Sequence, residues 1–202
     1  MTEQLISAFV TLLVVIDPIG LGPIFLGLTG GMDEMTRRKI ALQASIIAFC
    51  VLAGSALIGD WLLGQLGISL AAFRIAGGLL LFAIAFEMVF QRRAERKTDQ
   101  AGQPGTAIAA FPLAIPLMAG PGAITAMILL ASRLGREPVA LTALLAIMGV
   151  MLLASYLVFL SATWLERLLG TQGQAVLGRL LGVLLAALAV QFVADGVRAL
   201  IV

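Results

Sequence analysis

The strongest constraint on this chain is a succession of six apolar segments, at about 5 to 28, 38 to 59, 70 to 90, 106 to 130, 138 to 162 and 176 to 200. Each is long enough, at roughly 20 residues, to cross the hydrocarbon core of a bilayer as a helix. Little of the 202 residues is left between them. Hydrophobic residues make up 61% of the chain and charged residues 12%, about half the charged share of a soluble domain, so no polar surface could cover it. The pattern predicts an all-α polytopic membrane protein, a single transmembrane domain over residues 1–202 with no separate soluble domain. The opening MTEQ lacks the basic region of a signal peptide, and the first segment therefore reads as an uncleaved span.

Several function classes are excluded by what the chain lacks. It has no histidine, which removes serine-hydrolase triads, histidine-ligated metals and histidine proton relays. Its one cysteine, Cys50, lies in an apolar run and allows neither an internal disulfide nor a dithiol relay. The net charge of +2 comes from short basic clusters between spans, a topology signal and not a nucleic-acid footprint. No G-x-x-x-x-G-K-[ST] loop is present, so ATP hydrolysis is not indicated. The expectation is a protein that is no enzyme and needs no cofactor or metal.

The charges also give an orientation. If the N-terminus lies outside, nine of the 13 lysines and arginines fall on the inner side, including Arg37, Arg38, Lys39 and the cluster QRRAERK at 91–97. That asymmetry places both termini outside and a linker at about 91–105 in the cytoplasm. The second, fourth and fifth spans have uncharged cores, whereas the first carries Asp17, the third Arg74 and Glu87, and the sixth Arg179 and Asp195. Ionisable residues inside a membrane are costly and mark function by default.

The two halves of the chain echo each other. RIAGGLL at 74–80 and RLLGVLL at 179–185 both fit R-x-x-G-x-L-L, 105 residues apart. The same offset brings Asp17-Pro18 in span one close to Gly120-Pro121 in span four. Each half, about 1–92 and 104–202, holds three spans, so the second half enters the membrane with opposite orientation. The result is a 3+3 inverted repeat, an architecture common among secondary transporters. Asp17 lies about 18 Å along its span, near mid-depth. Pro112, Pro116 and Pro121 each remove a backbone N–H from span four. Spans one and four are therefore expected to be broken helices around a central polar site, because hydrocarbon does not tolerate unpaired backbone groups. Each break restarts a helix with proline in its favoured first position.

Asp17, Pro18, Gly20 and Gly22 in one arm, with Gly120, Pro121, Gly122 and Thr125 in the other, are the candidate substrate-binding residues. Two readings of Asp17 stand side by side. It caps the restarted half-helix, or it also meets a cation, either a substrate ammonium group or a coupling proton or sodium ion. The glycines and Thr125 would then serve an anionic group. Asp17, Glu87, Arg74, Arg179, Gln191 and Asp195 are candidates for an ion path or gate, against headgroup anchoring, interfacial snorkelling or helix–helix contact. Gly178 and Gly182 form a G-x-x-x-G suited to close helix packing or to a homo-oligomer.

The stretches IDPIGLGPIFLGLT (16–29) and PLAIPLMAGPGAIT (112–125) closely resemble those of the MarC family of bacterial inner-membrane proteins. The resemblance covers essentially the whole chain. It implies six spans with both termini periplasmic, and transport of small neutral amino acids as the activity. The motif residues are Asp17, Pro18, Gly20 and Pro23 in the first arm and Pro116, Gly120, Pro121, Gly122 and Thr125 in the second. The expected function is a secondary transporter of glycine, alanine or serine working by alternating access, with an exporter or channel for another small solute as the alternative. Its partners would be that substrate and the lipid bilayer.

Overall fold

The computed structural model describes residues 2–90, 108–134 and 137–201, and the expected linker at 91–105, including its basic cluster, lies outside them. All described regular structure is helical: α1 (Thr2–Ile16), α2 (Pro18–Leu28), α3 (Glu34–Gln65), α4 (Leu70–Val89), α5 (Ala109–Met118), α6 (Pro121–Arg133), α7 (Pro138–Leu160) and α8 (Ala162–Ile201).

Five helices or helix pairs are long and apolar enough to span a bilayer, and the bent pair α5–α6 brings the number to six. The spans agree with the apolar segments read from the sequence to within a few residues, except that α3 extends on to Gln65. Glu3–Leu28 runs as one span although Asp17 interrupts it. α8 carries a non-helical residue at Gly170, whose φ of 58° suits a residue without Cβ, and its spanning part is Ala175–Ile201.

Short connections are fixed by capping. After α2, Thr29 bonds back to the Phe25 carbonyl through its backbone N–H (3.0 Å) and its hydroxyl (2.7 Å). Asp33 then opens α3 by accepting the Thr36 N–H at 3.0 Å and the Thr36 hydroxyl at 2.7 Å. Those hydrogen bonds, the hydroxyl first, hold the Asp33 carboxyl below the usual carboxylate range. Between α3 and α4, Gly67 takes a positive φ of 68°, and Ser69 accepts the Ala72 N–H at 3.1 Å.

Packing follows the rule for membranes, with small residues inside and bulky apolar residues toward lipid. On α3, Ala41, Ala44, Ala48 and Ala56 recur on the buried face with Ile40, Leu52 and Leu63. On its other faces Leu57, Ile58, Trp61 and Leu62 are exposed. The most extensive contact is between α4 and α8. Gly78 approaches Ala189 and Val193, Gly182 approaches Ala85, Met88 and Val89, and Gly196 approaches Ala71 and Ile75. Residue numbers that rise on one helix as they fall on the other show the pair to be antiparallel. Gly182 is thus spent on packing within the chain, whereas Gly178 has open space beside it.

Partners recur in matched pairs. α3 packs on α6 as α7 packs on α2, α3 on α5 as α7 on α1, and α4 on α6 as α8 on α2, around the α3–α7 and α4–α8 contacts.

Candidate functional site

The two chain breaks are built differently. In the first, Asp17 alone leaves the helix, in the left-handed region (φ 49°, ψ 65°) that a short polar side chain tolerates better than most. The helical ladder bridges it, with Asp17 N–H donating to the Leu13 carbonyl at 3.0 Å and Leu21 N–H to the Asp17 carbonyl at 3.1 Å. The Asp17 carboxylate, in a residue only 4% exposed, accepts the Gly20 N–H at 3.1 Å. Pro18 occupies the first position of α2, where its missing N–H costs nothing.

The second break is wider. Prolines disfavour helical backbone in the residue before them. Accordingly Phe111 (φ −138°, ψ 127°) and Ile115 (φ −125°, ψ 122°), ahead of Pro112 and Pro116, are extended inside α5. The chain regains order when Ala119 N–H reaches the Ala114 carbonyl at 2.8 Å and Gly120 N-caps α6. A Cβ on Gly120 would stand 2.5 Å from the Pro116 carbonyl oxygen, so only glycine fits there. The two segments meet at 55°.

That bend opens a cleft of about 190 Å³, lined by Val15 of α1, Ile84 and Glu87 of α4, Pro116 to Met118 of α5, and Gly120 to Ala123. Among the described residues, Glu87 is the only ionisable side chain lining it. The start of α6 also lines it, and its first-turn N–H groups have no helical acceptor and carry the positive end of the helix dipole. Gly122 lets α4 approach: a Cβ there would lie 2.7 Å from Leu81 and 3.0 Å from Ile84. The cleft can therefore receive a small solute with a cationic end toward Glu87 and an anionic end toward backbone N–H groups.

Of the candidate binding residues, the structure gathers Gly120, Pro121 and Gly122 at this cleft. Asp17, Pro18, Gly20, Gly22 and Thr125 do not line it. Thr125 is buried with its methyl group against Gly77 of α4. Among the ion-path candidates, Glu87 lines the cleft although it lies within a turn of the end of α4, where the sequence suggests snorkelling. Asp195 pairs with Arg133 at 2.6 Å and accepts the Gln191 side-chain amide at 2.7 Å, an α6–α8 link away from the cleft. The Arg133 guanidinium also lies 5.3 Å from the centre of the Phe192 ring. Arg74 is half-buried, with an Nε that has no hydrogen-bond partner among the described residues. Arg179 is exposed. Sequence reasoning missed Val15, Ile84, Leu117 and Met118 as lining residues, since nothing sets them apart from other apolar side chains.

The chain matches the family described as MarC family integral membrane protein over residues 2–201. It belongs to the MarC family. Among similar MarC-type chains, a UPF0056 membrane protein of Methanocaldococcus jannaschii is 37% identical over 97% of each chain. One of Archaeoglobus fulgidus is 39% identical over 94% of this chain and 90% of the relative. The UPF0056 membrane protein YhcE of Escherichia coli is 34% identical over the same shares. No solved structure matches the chain.

Proposed function

We propose that this MarC-family protein is a secondary transporter of small neutral amino acids of the glycine, alanine or serine type, coupled to a proton or sodium gradient. The observation that carries the reading is the cleft at the α5–α6 bend, which is lined both by the carboxylate residue Glu87 and by the N-terminus of α6. A zwitterion suits both ends: its ammonium group pairs with Glu87 and its carboxylate takes the backbone N–H groups of α6. A volume of about 190 Å³ has room for an amino acid of this size. No enzymatic step or cofactor is part of this reading.

Alternating access on this proposal comes from rocking two inverted halves against each other. The matched order of broken span, long helix and final span, and the paired packing of those elements, support the repeat. The protein would sit in the inner membrane of a bacterial cell with both termini periplasmic, by the distribution of its basic residues.

Uptake of labelled glycine and alanine into proteoliposomes, with and without an imposed proton or sodium gradient, tests the proposal. Gradient-driven accumulation supports it. Equilibration that ignores both gradients points to a passive solute pathway, and no flux of either amino acid overturns the substrate class.

A further inference from the structure

A second pocket, of about 230 Å³, shares no lining residue with the cleft. Phe25 lies in the last turn of α2, Glu34, Arg37 and Arg38 in the opening turns of α3, Phe159 and Leu160 close α7, and Thr163 follows at the start of α8. All are at the ends of apolar spans, which puts the pocket at a membrane boundary.

Arg37 is held from two sides. Its Nε–H donates to Thr29 Oγ1 at 3.2 Å, and its guanidinium carbon lies 5.9 Å from the centre of the Phe25 ring. Phe25 in turn stacks on Phe159 with centroids 4.6 Å apart and planes at 19°. The half-buried guanidinium thus has a fixed plane, and its two terminal amino groups carry no carboxylate partner among the described residues. Glu34, the one acid among the described lining residues, is engaged by Arg38. The described lining residues therefore carry one net positive charge, a rigid fork of donors and the Thr163 hydroxyl. This matches an anion with several oxygens and a single charge, since guanidinium binds phosphate oxygens in pairs.

We propose that the pocket binds the phosphodiester group of an anionic membrane lipid, with Arg37 as the principal contact and Arg38 and Thr163 beside it. Its boundary position, the aromatic floor and the exposed Leu160 at its rim favour a headgroup with chains attached over a free anion. The site stands apart from the transport reading and does not depend on it.

The test uses the full-length chain in a neutral detergent. Thermal unfolding and native mass spectrometry are followed with added phosphatidylglycerol, phosphatidylcholine or inorganic phosphate. Phosphatidylglycerol is expected to bind and raise the unfolding temperature where the other two do not. Arg37→Gln should lower the preference for it about fivefold, the worth of one basic side chain at an anionic surface, and Arg37→Lys should restore part. Thr163→Trp fills the pocket without removing a charge and should weaken binding likewise, which decides the matter if Arg37→Gln does not fold. An undiminished preference in Thr163→Trp, or an equal effect of inorganic phosphate, overturns the proposal.

Discussion

Asp17 and Gly20 occupy one another's space: the aspartate carboxylate accepts the Gly20 N–H at 3.1 Å, and a Cβ on Gly20 would overlap Oδ2 of Asp17. The cap and the glycine are thus a single device that carries the helix across a left-handed residue. Asp17→Asn keeps an acceptor and tolerates the same backbone, so its thermal stability and uptake should stay close to wild type. Asp17→Ala and Gly20→Ala should each lose about 1–2 kcal/mol by unfolding in detergent. Abolished uptake in a stable Asp17→Asn would instead give the aspartate a cation.

Glu87→Gln removes the one ionisable side chain that lines the cleft among the described residues, at nearly the same volume. Gradient-driven glycine uptake should fall at least about tenfold, the effect of losing roughly 1.4 kcal/mol or more of binding at a charged contact, in protein that still folds. Full activity in this variant would move the cation site elsewhere.

Gly77 makes room for the Thr125 methyl group between α4 and α6. Gly77→Ala should cost about 1–3 kcal/mol through overpacking. Thr125→Ser removes the opposing methyl, and the double variant should recover part of the loss. A double-mutant cycle in denaturation experiments reads that coupling, and strict additivity would contradict the contact.

The Arg133–Asp195 pair joins α6 to α8 with side chains 34% and 25% exposed. A pair this open to its surroundings is worth roughly 1 kcal/mol or less. Arg133→Gln, Asp195→Asn and their combination should give a coupling energy within that range, shrinking as salt rises.

Orientation is open to labelling. In a Cys50→Ser background, single cysteines at Glu3 and Ile201 should react with an impermeant maleimide in intact cells. A cysteine at Asp33 should react only after permeabilisation. The reverse pattern would turn the charge argument over.

Most of the fold is legible in the sequence because hydrocarbon thickness dictates span length, and the ends of α1–α2, α4, α7 and α8 fall where apolar residues give out. The breaks were visible too, as prolines beside Asp17 and Gly120. Their unequal form was not. Pro112 and Pro116 push two residues into extended backbone and the fourth span bends by 55° at the break before Pro121, whereas the ladder around Asp17 closes over a single residue. Glu87 looked interfacial because position along a helix says nothing about which neighbour it faces. Arg133 and Asp195, 62 residues apart, carry no local signal of their pairing at all.

The glycine contacts between α4 and α8 impose a timetable on synthesis. Gly78 lies against Ala189 and Val193, so the α8 face of the third span stays uncovered until about a hundred further residues have been made. At 5–20 residues per second that wait is on the order of 5–20 s. Through it, α4 has only α6 to pack against among its final partners, with Gly78 still uncovered. Pulse-labelled chains should accordingly become protease-resistant in one late step, once Gly196 has emerged, and not half by half.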